Sequence, residues 1–158
     1  MASVWYAWGM MRWLTGTSAV GVDVCLLVLR VAFGGMMLLG HGVPKIQKFG
    51  GSMSTFPDPL GIGGTVSFLG AVGSEVVCAG MVVVGLLTRA AALPLVFTMG
   101  VAAIVVHKND GFFMSGVGGA KEPAVMYLAV FAAIALAGPG RLSADHAVFG
   151  KKRRPAEG

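Results

Sequence analysis

The chain has 158 residues, of which 56% are hydrophobic and 12% charged, with a formal net charge of +5 and a mean hydropathy of +0.80. Soluble domains carry about twice that charged fraction, so composition makes this an integral membrane protein. The length accommodates roughly four spans with short connections, which excludes a large extramembrane catalytic module.

All three tryptophans, Trp5, Trp8 and Trp13, fall near the start among Tyr6, Met10 and Arg12. Amphipathic rings favour the headgroup layer, so residues 1–21 read as an interfacial anchor or, alternatively, a docking surface for a partner. There is no basic n-region with a short apolar core and A-x-A site, so the first span is expected to act as its own uncleaved signal. That span covers about 22–40, contains Arg30, and carries a Gly34-Gly35 pair suited to close backbone approach. Residues 41–64 are rich in Gly and Pro and carry His41, Lys45 and Lys48, reading as a structured loop with a short amphipathic piece.

The second span, TVSFLGAVGSEVVCAGMVVVGLL over 65–87, holds a single carboxylate, Glu75, near its middle. Gly70, Ser74 and Cys78 recur every four residues, a small-residue stripe expected to pack tightly on a neighbouring helix with Glu75 facing protein. A tight turn with Arg89 leads to a third span at about 91–106, with Pro94 expected in its first turn and His107 closing it. A turn-rich connection precedes a short fourth span, about 123–137, stopped by Gly138-Pro139-Gly140. A basic tail, Lys151-Lys152-Arg153-Arg154, lies in 149–158. The fold class expected is thus all-α, a four-helix transmembrane bundle over 22–148 with an interfacial N-terminal segment.

Arg12, Arg89, Arg141 and the four basic tail residues fall on one side of this arrangement, against Lys45, Lys48, Lys108 and Lys121 on the other. The excess predicts a plasma (inner) membrane protein with both termini cytoplasmic, the tail lying against anionic lipid. Basic and aromatic residues do not interleave as nucleic-acid binding requires, so no nucleic-acid partner is expected. Cys25 and Cys78 lie in apolar spans without a CxxC, so neither a disulfide framework nor a thiol redox motif is expected.

Charge inside a bilayer is costly and points to function or to pairing. The topology sends Arg30 and Glu75 into the interior and gathers His41, Lys45, His107 and Glu122 at the outer helix ends, one column of six polar side chains. Arg30 and Glu75 differ in depth by about 6 Å at 1.5 Å per residue. Their side chains lean toward opposite faces, because helical side chains point toward the N-terminus, which works against an ion pair. The structural alternative to a reactive site is an ion pair that sets helix register. No metal site is expected; His41, His107 and Glu122 have suitable ligand types, but their spacing does not make them converge. P-loop, GxSxG, HExxH and dinucleotide-loop motifs are absent.

LRVAFGGMMLLGHGVPKIQKFGG, SEVVCAGMVVVGLLTRAAAL, HKNDGFF and GPGRLSAD occur in that order, and in this the chain resembles the DoxX family of small four-span membrane proteins. The resemblance implies a four-helix membrane bundle and an association with respiratory redox chemistry, since members of the wider family serve as subunits of a thiosulfate:quinone oxidoreductase. Gly63 stands where the family usually has proline, and Pro123 follows Glu122 where an aromatic is usual. Together these features suggest a redox-associated subunit that handles a quinone, with the cofactor itself left open and quinone the candidate. Glu75, His107 and Arg30 would carry the chemistry, and His41, Lys45 and Glu122 would bind. Two other classes stay open: a noncatalytic accessory subunit packed against partner membrane subunits or further copies of itself, and a small-solute or proton carrier using the polar column as its path. The residues alone leave open whether the chain is itself an enzyme.

Overall fold

The computed structural model describes residues 16–114 and 119–150; the tryptophan-rich start and the Lys151–Arg154 tail fall outside them. The described chain is helical: α1 is Ala19–Phe49, α2 Gly64–Val84 and α3 Thr88–Val106, each long and apolar enough to cross a bilayer. A shorter apolar helix, α4 (Glu122–Ala137), comes next, and then α5 (Ala144–Phe149). The fold is the expected all-α membrane bundle, its four apolar helices alternating in direction. One face, here terminal, carries the start of α1, the α2–α3 turn and residues 138–150; the other, here distal, carries residues 50–63, 107–114 and 119–121.

Hydrophobicity alone does not hold helices together in lipid, so packing detail matters. α3 and α4 run side by side through Ala92, Leu95, Phe131 and Ile134, which are buried together with Met37 of α1 and Val82 of α2. Gly34 does what its composition predicts: a Cβ there would meet Val83 Cγ2 at 2.8 Å and the Ala79 carbonyl at 3.2 Å, so α1 and α2 touch nearly backbone to backbone. The other expected stripe is different. Nothing approaches Gly70, which together with Ser74 lines a cavity rather than a helix interface.

The terminal face is tied by polar contacts to the chain after α4. Gly85 and Leu87 both adopt left-handed backbone (φ 75° and 45°), a conformation costing roughly 1 kcal/mol for leucine. Asp145 offsets this by accepting from the Leu87 and Thr88 N–H groups at 2.7 and 2.9 Å and from the Thr88 hydroxyl at 2.9 Å. It thereby supplies the N-cap that Leu87 cannot give α3. Arg141 pairs with Asp23 at the start of α1, at 2.7 Å. Because α3 begins at Thr88 rather than near residue 91, Pro94 sits inside the helix, where it has no N–H to give the Ala90 carbonyl.

On the distal face Asp58 accepts from Ile62 N, Gly63 N and Ser67 Oγ, at 3.0, 2.7 and 2.7 Å, folding the loop onto the start of α2. Gly63 has φ 98° and donates its N–H to that carboxylate, two things proline cannot do. The Ser67 and Gly63 bonds hold Asp58 below the usual carboxylate range.

Candidate functional site

Each of the three long helices contains one π-helical segment: Leu38–Gly42 in α1, Gly73–Cys78 in α2 and Ala102–Val106 in α3. Such segments add a residue to a turn, rotate the helix beyond it, and often mark functional sites. Here they carry His41, then Ser74 and Glu75, and end at His107. The first two lie against each other at Gly42, where a Cβ would meet the Glu75 carbonyl oxygen and Val76 Cγ2, both at 2.7 Å.

Between α1, α2, α3 and the start of α4, in the distal half, is a cavity of about 740 Å³. Its walls are mainly apolar, with Phe49, Phe56, Leu60, Val66, Phe97 and Met99 among them, and polar groups enter at a few points, His41, Lys45, Ser74, Glu75, His107 and Tyr127 together with the hydroxyl residues Ser67 and Thr98. A largely apolar pocket of this size with a few polar groups is the ordinary form of a small-molecule site. Glu75 is 2% exposed and ion-paired with the Lys45 ammonium, whose side chain reaches down from the last turns of α1. A buried carboxylate needs such a partner. Beside it Ser74 Oγ is buried with no hydrogen-bond partner among the described residues. His41 stands edge-on to Tyr127, ring centres 5.4 Å apart, and both line a shallow groove on the lipid side of α1 as well as the cavity. His107 Nδ1 lies 2.7 Å from Asp110 Oδ2.

The structure therefore brings four of the six expected polar residues, His41, Lys45, Glu75 and His107, to one cavity, and keeps two apart. Arg30 belongs to the terminal face. It is fully buried, donates from Nη2 to the Leu142 carbonyl at 2.5 Å, and packs against Gly85, where any Cβ would strike Nη1. The single column of six is thus corrected: the opposite lean of Arg30 and Glu75 prevails, and Glu75 pairs with Lys45. Glu122 opens α4 and gives its backbone N–H to the Phe112 carbonyl at 2.9 Å, outside the cavity lining. No cluster of three metal-ligating side chains occurs among the described residues. Ser74, Tyr127 and Asp110 were not singled out from sequence as site residues. Asp110 had a local signal, three residues after His107, and Tyr127 one too, sharing a helical face with Pro123 and Ala124.

A family model described as DoxX matches residues 25–108, which span α1 to α3 and so the helices that carry His41, Lys45, Glu75 and His107. The match stops before α4 and before GPGRLSAD. A search of curated proteins and one of solved structures find no match. With more than half of its residues inside the match, the chain belongs to the DoxX family of small membrane proteins.

Proposed function

We propose that the distal cavity binds a quinone or its hydroquinone, and that this chain serves quinone-linked redox chemistry by holding the ring and moving its protons. The observation that carries the reading is the Lys45–Glu75 pair set in the wall of a mainly apolar cavity, with Ser74 Oγ buried beside it and without a hydrogen-bond partner among the described residues. A hydroxyl left unpaired in an apolar interior costs on the order of 1–3 kcal/mol, a cost that a ligand oxygen accepting or donating there removes. Lys45 offers a donor to a carbonyl oxygen, while the flat apolar walls suit a ring. Reduction of quinone to hydroquinone takes two electrons and two protons. In this reading Glu75, His41 and His107 relay protons, and the electrons belong to a partner membrane subunit carrying a redox centre. Arg30 and Glu122 act structurally. The basic-residue excess supports a plasma-membrane protein with both termini in the cytoplasm and the cavity toward the opposite side.

The test is equilibrium binding of decylubiquinone to the protein in lipid nanodiscs. One saturable site per chain is expected, with affinity reduced about tenfold by Ser74→Ala, the worth of one hydrogen bond. Absence of saturable binding overturns the reading. Co-purification of stoichiometric redox subunits with a chain that binds no quinone would favour the accessory-subunit reading instead.

A further inference from the structure

His107 lines the cavity, and its ring Nδ1 is already engaged. Its partner Asp110 stands outside the cavity lining, in the loop that leaves α3. That loop is held in register by a bridge between Gly111 and Ala120 and by the bond from Lys121 N to the Gly111 carbonyl at 3.1 Å. Gly119 closes over the pair so tightly that a Cβ there would strike Asp110 Oδ2 and come within 3.0 Å of His107 Nδ1. A carboxylate only accepts hydrogen bonds, so in the neutral ring it keeps the proton on Nδ1 and leaves Nε2 as a lone pair.

We infer that Asp110 is a positioning residue, seated by Gly119, that presents His107 Nε2 to the cavity as an acceptor, so that the site prefers a ligand bearing a hydroxyl over one bearing a carbonyl. The preference for hydroquinone over quinone rests on the quinone reading; the assignment of Asp110 does not. In the step this permits, the ligand O–H bond breaks, its proton passes to Nε2, and the electron pair stays on oxygen as a phenolate. The imidazolium that forms is balanced by the Asp110 carboxylate. Partial exposure of both residues on the distal face lets the proton leave to water.

The experiment is ¹⁵N NMR of histidine-labelled protein in nanodiscs at about pH 8.5, two units above the ordinary imidazole value, with His107→Gln to assign the resonance. The expected result is an Nδ1–H tautomer for His107 that turns to Nε2–H in Asp110→Asn, where the amide donates to Nδ1. Asp110→Glu should retain the native tautomer, and Gly119→Ala should disturb it without altering either group. Binding of decylubiquinol, kept reduced with dithionite, should exceed that of decylubiquinone about tenfold, and Asp110→Asn should abolish the difference. An Nε2–H tautomer in the native protein, or one unchanged by Asp110→Asn, overturns the assignment whatever the protein binds. The expected tautomer in a protein that binds neither form sustains the assignment and overturns the quinone reading alone.

Discussion

Arg30 and Glu75 are both buried, and each is held by a contact distant in sequence: Arg30 by the Leu142 carbonyl and Glu75 by the Lys45 ammonium, 30 positions away. The pair makes a specific expectation. Lys45→Met leaves a buried carboxylate alone and should lower stability by about 3 kcal/mol, whereas Lys45→Met with Glu75→Leu should recover most of the loss. Denaturation midpoints in mild detergent check this, and equal midpoints for single and double variants would contradict it. Arg30 is read out by its neighbour: Gly85→Ala places a methyl group on the guanidinium at a residue with φ 75°, and should cost upward of about 1 kcal/mol.

Helices were easy to find and their interruptions were not. Hydropathy over about 20 residues locates a span, but a π segment is one extra residue in a turn and has no composition of its own. The phase shift it introduces is what a face-by-face reading from sequence misses: Gly70 and Ser74, before and at the start of the α2 segment, line the cavity, whereas Cys78 at its end packs against the core. Gly42→Ala therefore probes the element: with no space against the Glu75 carbonyl, the α1 and α2 segments must separate, and decylubiquinone affinity should fall along with the denaturation midpoint. At the start of α3 the remote cap supplied by Asp145 is a second case invisible to local sequence rules, which look for a cap at the preceding residue. Asp145→Ala should cost about 1–2 kcal/mol, read as the loss of amide protection at Leu87 and Thr88. Burial by itself raises the Asp145 carboxyl, but the Thr88 and Leu87 N–H bonds, the Thr88 hydroxyl and the Arg30 charge together hold it below its ordinary value. A depressed carboxylate contributes stability that is complete above the unfolded value and lost as pH falls through the folded one. Protection of the α2–α3 turn should therefore persist down to about pH 4 and disappear below it.

At the scale of the whole molecule, the all-α membrane architecture was legible because composition leaves a chain this apolar little alternative. Which polar residues meet was only half legible, since depth can be counted along a helix while rotation about its axis cannot. The bundle is also uneven. α4 has 16 residues, about 24 Å at 1.5 Å per residue, against a hydrocarbon layer of about 30 Å. Its ends are fixed: Glu122 is tied to Phe112 at one, and the Ala137 carbonyl faces Arg89 Nη2 at 3.4 Å at the other. Lipid beside α4 is therefore expected to shorten to meet it, a dimple of thinned bilayer along one flank. Thickness mismatch costs fractions of a kcal/mol per Å. The protein should accordingly denature at higher temperature in bilayers of short-chain lipid than in long-chain ones, and in a membrane of mixed thickness it should gather in the thinner regions.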